Sequence, residues 1–180
     1  MANSVAAGRG GDVAFFAPGL IEFLREASQG SPEFNKELRI AAQQVAEKVV
    51  RDAQMGAAMQ APHGKNQGPK SSGMSQAQMV SKGLRARRDR IPTIKLDHNR
   101  GYPSKSRPNR KRKNKVVMGQ VFYGAEFGGG KQPTTKQFLR HRGRQGYFFW
   151  EAVRDNKGFI VEEYSKAIDM VFKKLASGAY

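Results

Sequence analysis

One stretch decides the fold of this chain: SPEFNKELRIAAQQVAEKVVRDA, residues 31–53. Its apolar residues recur at steps of three and four, which is the period of one face of an α-helix. They are Phe34, Leu38, Ala41, Ala42, Val45, Val49 and Ala53. Ser31 can cap the helix start, and Pro32 suits the first helical position, where its missing N–H costs nothing. The pattern therefore predicts one long amphipathic helix that ends near Gln54 or a little beyond.

A second stripe of the same period lies close to the C-terminus, in residues 159–175. Its members are Ile160, Val161, Tyr164, Ala167, Ile168, Val171, Phe172 and Leu175. Lys173 and Lys174 would lie at the negative end of the helix dipole, which favours cations. We expect a C-terminal helix over 159–175, and shorter helices over 20–28 and 75–84.

The segments between the helices are expected to supply a small sheet. Residues 91–96 predict a brief strand, and residues 115–127 predict a longer one because they are rich in Val, Phe and Tyr. The aromatic block at 147–150 fits either a strand or the start of a helix. The predicted fold class is therefore α+β, with the long N-terminal helix and the C-terminal helix packed on a small, mostly antiparallel sheet.

The predicted domain organisation is an N-terminal arm with a short helix, residues 1–30, followed by a single domain, residues 31–180. Residues 1–19 are rich in Ala and Gly and are expected to be irregular. Residues 98–114 hold little apolar material and much charge, so they are expected to form a long basic loop inserted into the domain. Residues 131–146 predict a second basic loop.

Charge is the dominant feature of the composition: 32 Lys and Arg oppose 15 Asp and Glu, a net charge of +17. Such a balance implies a polyanionic partner, an acidic protein surface, or both. The candidate residues for contact with nucleic acid or an acidic partner are Arg107, Arg110, Lys111, Arg112, Lys113 and Lys115. This segment lacks the interleaved aromatic residues that stack on bases, so nucleic-acid binding here would be independent of base sequence.

Residues that would carry catalysis are sparse. Cysteine is absent, which excludes disulfides, thiolate zinc sites and cysteine nucleophiles. His63, His98 and His141 are far apart in sequence, so no histidine pair has the spacing of a helical metal site. No apolar run approaches the roughly 20 residues that span a bilayer, and the start lacks a signal-peptide pattern. We expect no enzymatic activity, no catalytic residue, no cofactor, no metal and no membrane contact.

The distal half of the chain carries an ordered set of motifs. Residues 116–130 read VVMGQVFYGAEFGGG, in which an aromatic residue and a small residue precede Glu-Phe-Gly. The motifs QFL, HRG and GYFFWEAVR follow at 137–139, 141–143 and 146–154. In this order they resemble the neck or tail-completion proteins of long-tailed bacteriophages, in particular those of actinobacteriophages. The resemblance covers about residues 32–175, and the basic insertion at 98–114 is longer and more charged than the family's pattern.

The resemblance implies a structural virion protein at the head–tail junction, assembled in the host cytoplasm. Such proteins form a homo-oligomeric ring, commonly hexameric or with twelve copies on a dodecameric connector, that joins the portal complex to the tail tube. The implied partners are connector or stopper proteins, tail terminator or tail tube proteins, and packaged double-stranded DNA. The candidate subunit-interface residues are Tyr123, Glu126, Phe127, Arg140, Arg142 and Tyr147. Glu126 would pair with Arg140 or Arg142, or would remain a lone surface carboxylate.

Two other functions stay open at this point. A tail terminator, which caps the tail tube, belongs to the same class of phage protein and would share the same sequence features. A monomeric nucleic-acid-binding protein without base specificity would use the basic insertion as its active part. Oligomeric state separates the phage ring from the monomer, since only the ring requires self-association.

Overall fold

The computed structural model describes residues 4–7, 12–16, 32–62, 66–68, 72–102, 116–129 and 137–177. Within these ranges the helices are α1 (Pro32–Ala58), α2 (Gln76–Ser81), α3 (Met118–Phe127), α4 (Phe149–Asp155) and α5 (Lys157–Ala176). The strands are β1 (Ser4–Ala7), β2 (Asp12–Phe16), β3 (Leu84–Arg87) and β4 (Thr93–Leu96), and a short 3₁₀ turn spans Gly143–Gln145. This composition is that of an α+β protein, as the sequence predicts.

The four described strands form one sheet in the order β1-β2-β4-β3. β2 pairs antiparallel with both β1 and β4, and Val13 lies opposite Ile94 in the second ladder. The prediction that residues 1–19 are irregular is therefore wrong for β1 and β2. That prediction gave weight to Ala and Gly, whereas the sequence of β2, DVAFF, carries the β-branched and aromatic residues that favour strands. The helix predicted over 20–28 lies outside the described residues.

The chain divides into two compact units. The first combines Met1–Val49, Arg85–Lys95 and Asn156–Tyr180, and the second combines Val50–Leu84 and Leu96–Asp155. Both units are built from segments that are distant in the sequence. Each unit therefore depends on contacts that only the folded chain can make.

The core of the first unit is made by the two amphipathic stripes that the sequence predicts. Phe34, Leu38 and Ala42 of α1 are fully buried and pack in one cluster with Tyr164 and Val171 of α5. The partly buried residues packed against this cluster are Ile91, Ile168 and Phe172. At the rim of the cluster, the Nζ of Lys174 lies 2.6 Å from a carboxylate oxygen of Glu37. Both long helices are thus confirmed, and α1 ends at Ala58, a little beyond Gln54.

The second unit has an aromatic centre. The ring of Phe122, on α3, makes edge contacts with Phe148 and Phe149 at centroid distances of 5.9 Å and 5.8 Å. The short helix predicted over 75–84 is confirmed as α2 (Gln76–Ser81). Its N-cap is Ser75, whose hydroxyl accepts the N–H of Gln78 while the Gln78 side chain accepts the N–H of Ser75. This reciprocal pair satisfies two amides that a helix start otherwise leaves without partners.

The strand predicted over 115–127 is wrong, because this segment forms the helix α3. Its buried apolar residues are Met118, Val121, Phe122 and Ala125. These positions recur at steps of three and four, which is the period of a helix. The residue types of the segment, rich in Val, Phe and Tyr, suit a strand equally well. Two local features favour the helix: the side chain of Gln120 accepts the N–H of Val117 at 3.2 Å, and Gly124 admits the ring of Phe138. Packing has here overridden β-propensity, which is context-dependent.

Replacing Leu38 with Ala should remove part of the first unit's core. Leu38 is fully buried, so the Leu38→Ala substitution should lower the free energy of unfolding by about 2–5 kcal/mol. Ile40 lies on the same helix and is 39% exposed, so Ile40→Ala should cost less than about 1 kcal/mol. Urea titrations followed by circular dichroism measure both values, and equal losses in the two variants would contradict this assignment of the core.

Candidate functional site

A buried carboxylate lies at the centre of the second unit. Glu126 stands in the last turn of α3 and is fully buried. One of its oxygens accepts the N–H of Phe148 at 3.2 Å and of Phe149 at 3.0 Å, and the other accepts the N–H of Trp150 at 2.8 Å. These are the amides at the start of α4, which have no partner within their own helix. Glu126 therefore supplies, from a different helix, the N-cap that α4 needs.

The electrostatic balance at Glu126 has two opposing parts. Burial raises the pKa of the Glu126 carboxyl, and the N–H bonds from Phe149, Trp150, Phe148 and Tyr147 lower that pKa in part. Removing a carboxylate from water is costly unless hydrogen bonds replace those of the solvent. The amides of residues 147–150 provide this replacement. The carboxylate and the start of α4 therefore stabilise each other, and separating them would leave polar groups on both sides unsatisfied.

Two glycines permit the close contacts around Glu126. Gly146 has a φ of +69°, and a Cβ there would lie 2.0 Å from the Oε1 of Glu126. Gly128 has a φ of +80°, and a Cβ there would lie 2.3 Å from the carbonyl oxygen of Arg140. Only glycine adopts such backbone angles without cost while leaving space for an approaching atom. The glycines of the Glu-Phe-Gly and Gly-Tyr-Phe motifs thus have a geometric role.

The chain after α3 pairs with the segment that precedes α4. The N–H of Gly129 donates to the carbonyl of Leu139 at 2.6 Å, and the N–H of Arg142 donates to the carbonyl of Phe127 at 3.0 Å. The hydroxyl of Tyr147 donates to the carbonyl of Arg140 at 2.6 Å. We call this assembly the Glu126 cluster: Glu126, Phe127, Gly128, Gly129, Leu139, Arg140, Arg142, Gly146 and Tyr147. It brings together five of the six residues that the resemblance implies for a subunit interface.

The roles inside the cluster differ from those expected. The predicted ion pair between Glu126 and Arg140 or Arg142 is wrong, and Glu126 is not a surface carboxylate. Its partners are backbone amides, whereas Arg140 and Arg142 are both exposed. The guanidinium of Arg142 instead lies over the ring of Tyr147, 4.9 Å from its centroid, a cation–π geometry. The sequence signals that could have suggested a cap were the glycine at 146 and the aromatic run that begins α4.

The sixth predicted interface residue, Tyr123, lies beside the cluster on α3. Its side chain is 52% exposed, and its ring makes an edge contact with Phe122 at 5.8 Å. Tyr123 and Phe127 are four residues apart on α3, which places them on one side of the helix. Phe148 and Phe149 are buried and belong to the core of the second unit.

Several predicted contact residues lie outside the described residues. These are Arg107, Arg110, Lys111, Arg112, Lys113 and Lys115. The described part of the second basic segment shows Arg140, His141, Arg142 and Arg144 as exposed. Arg154 supports this segment from α4, because its guanidinium donates to the carbonyl of Gln145 at 2.6 Å.

Sequence reasoning missed one group of cations in the first unit. A groove of about 590 Å³ is lined by Pro32, Asn35, Lys36, Arg39, Arg88 and Arg90. Lys36 and Arg39 lie on α1, whereas Arg88 and Arg90 lie between β3 and β4. Nothing in the local pattern indicates that residues about fifty positions apart line one depression.

The described residues hold neither a candidate metal cluster nor a helix that could span a membrane. Across residues 32–62, 66–68, 72–102, 116–129 and 137–177, no group of three or more His, Asp or Glu could hold a metal ion. His98 packs against α3, where a Cβ at Gly119 would lie 2.0 Å from the imidazole ring. None of the helices in these ranges combines the length and the apolar content needed to cross a bilayer.

Comparison of the chain with models of known protein families, with curated proteins and with solved structures finds no match.

Replacing Glu126 with Ala should destabilise the second unit strongly. The Glu126→Ala substitution leaves three amides at the start of α4 without an acceptor, two of them buried, and opens a cavity, so the free energy of unfolding should fall by about 3 kcal/mol or more. Glu151, an exposed carboxylate in the first turn of α4, is the matched control. Glu151→Ala should cost less than about 1 kcal/mol. Thermal unfolding of both variants tests this, and a Glu126→Ala variant as stable as the control would disprove the cap.

Two glycines, Gly143 at the start of the 3₁₀ turn and Gly146 directly after it, provide a second test. Gly143 and Gly146 have similar φ values, +62° and +69°, but only Gly146 faces Glu126. Gly143→Ala should cost about 1–2 kcal/mol, because it introduces backbone strain alone. Gly146→Ala should cost about 1–3 kcal/mol more, because its methyl group also displaces the carboxylate. Chemical denaturation measures the difference between the variants, and equal losses would contradict the close approach.

Proposed function

We propose that this chain is a structural subunit of the head–tail joint of a tailed bacteriophage, where it forms a ring that connects the portal complex to the tail tube. The observation that supports this proposal is the Glu126 cluster. The motifs that resemble the neck and tail-completion family are separate in sequence, yet they meet in one hydrogen-bonded assembly. If this chain shares the fold of that family, the residues of these motifs would be required to contact one another in this way.

In this proposal the cluster has an inner and an outer part. Glu126 is fully buried in its own chain, so its role is to hold α3 and the start of α4 together. Tyr123, Arg140 and Arg142 are exposed on the outside and would contact the neighbouring subunit. Tyr and Arg are enriched in protein interfaces, because they combine a large contact area with hydrogen-bonding capacity. Phe127 and Tyr147 are partly buried and support this outer surface.

The proposed assembly is a homo-oligomer, hexameric or with twelve copies, closed by head-to-tail contacts between identical subunits. Its neighbours would be connector or stopper proteins on one side and tail terminator or tail tube proteins on the other. The site of action is the neck of the virion, after assembly in the host cytoplasm. The role requires no catalytic chemistry, so we propose a structural protein and not an enzyme.

The net charge of +17 favours a second candidate function. A monomer that binds nucleic acid without base specificity would explain this excess by contacts with phosphates. Within the phage class, a tail terminator that caps the tube is the alternative to a joining ring. The nucleic-acid-binding protein is predicted to be a monomer. The tail terminator is predicted to lie only on the tail in assembled particles.

Replacing Tyr123 with Glu should disrupt ring closure without unfolding the chain. Tyr123 is exposed, so the Tyr123→Glu substitution should leave the melting temperature nearly unchanged while converting rings to monomers in native mass spectrometry. The control is Val161→Glu on α5, at a position that is 47% exposed and belongs to the first unit. This control variant should still form rings.

Wild-type protein that remains monomeric at tens of micromolar, and that is absent from purified particles, would refute the ring. Imaging of intact particles then gives the position: density at the neck supports the joining role, and density only at the end of the tail tube supports the terminator.

A further inference from the structure

The basic groove of the first unit has an unusual lining. Of the six described residues that line it, four are cations, Lys36, Arg39, Arg88 and Arg90, and none is a carboxylate. In the described part of the chain, Lys36, Arg39 and Arg88 form no ion pair, whereas the neighbouring Arg87 lies 3.3 Å from Asp89. Like charges around one depression repel one another, and no acidic side chain among the described residues forms an ion pair with these three.

The two walls of the groove are held by the buried core. Phe34 and Leu38 on the inner face of α1 fix the wall that carries Lys36 and Arg39. The opposite wall is fixed because Ile91 packs on the same core and the hydroxyl of Tyr164 donates to the carbonyl of Arg90. Tyr164 is itself buried, and burial raises the pKa of its hydroxyl, which keeps it a hydrogen-bond donor. The backbone positions of the four cations are therefore defined before any ligand arrives.

The chemistry of the lining selects an anion with several charges. Arginine presents a planar fork of donors that matches the oxygens of a phosphate, and lysine adds a compact positive charge. Among the described residues that line the groove, none is an aromatic residue on which a base could stack, and Pro32 alone is apolar. A protein partner would be expected to meet apolar and aromatic residues at the centre of the contact, where charged residues are depleted. The lining thus favours a phosphate backbone over an acidic protein.

We propose that this groove binds the phosphate backbone of double-stranded DNA, independently of base sequence. The site is separate from the basic segment at 107–115 and from the Glu126 cluster, and it does not depend on the head–tail role. Each cation would contact a phosphate from the surface of the duplex, with release of the counterions condensed there. The groove would give the first unit a defined point of attachment on DNA.

The test compares two triple variants with the same net charge. The groove variant is Lys36→Gln, Arg39→Gln and Arg88→Gln; the control variant is Arg51→Gln, Lys157→Gln and Lys173→Gln. All six positions are exposed, and Gln preserves helix propensity while removing the charge. Arg90 is left unchanged because its backbone holds one wall of the groove. Circular dichroism and thermal melting establish that both variants are folded.

The measurement is the affinity for a 30-base-pair duplex at several salt concentrations, by fluorescence anisotropy. Because other basic segments also contribute to binding, the change in slope of log K against log salt is the informative quantity. The groove variant should reduce the magnitude of this slope by about 2–3, since each lost phosphate contact removes about 0.9. The control variant should reduce it by less than about 1. A second duplex of unrelated sequence should give the same values.

Three results would overturn the proposal. Equal slopes for the groove and control variants would mean that the groove contributes only to the general charge. A groove variant that loses affinity for polyglutamate but keeps the slope for DNA would identify an acidic protein as the ligand. A preference of more than about tenfold for one duplex, lost in the groove variant, would show base-specific recognition. Native mass spectrometry of the same samples reports ring formation, so failure here is distinguishable from failure of the proposed ring.

Discussion

The second unit depends on one interaction, in which the buried carboxylate of Glu126 accepts the first amides of α4. A short helix such as α4, Phe149–Asp155, has little stability of its own, because its few internal bonds do not repay the cost of nucleation. The carboxylate offsets part of this cost and fixes where the helix begins. The aromatic centre around Phe122 can then form, since Phe148 and Phe149 are presented at the correct positions. The parallel bridge between Gly129 and Arg140 closes the same assembly.

The sequence predicts the two long helices well and the middle of the chain poorly. In α1 and α5 the apolar stripe repeats over several turns. The helical period is therefore clear even where individual residues would also fit a strand or a loop. In α3 the ten residues from Met118 to Phe127 satisfy both a helical and a strand-like interpretation, and contacts with Phe138 and His98 decide between them. β1 and β2 were missed because composition was weighed over the short β-favouring segment at 12–16.

The candidate sites show the same division between local and long-range information. The resemblance selected Glu126, Phe127, Arg140, Arg142 and Tyr147, and these residues do converge. Their bonding could not be read from the sequence, because the acceptor on α3 and its donors at 148–150 are separated by a basic segment. The groove was missed for a related reason: α1 and the turn after β3 approach each other only through the core formed with α5. A charge count identifies how many cations there are, and only the fold identifies which of them face a common ligand.

The bonding of Glu126 has a consequence for the evolution of this protein. Its partners are main-chain amides, so the cap itself places no demand on the identity of the side chains at 148–150. Substitution there is limited by packing alone, and no compensating charge has to change in step with Glu126. The residue that does have to be retained with it is Gly146, whose missing side chain leaves space for the carboxylate. Distant relatives should therefore be recognisable by an acidic residue and a glycine inherited together, even where the aromatic residues between them and α5 have diverged.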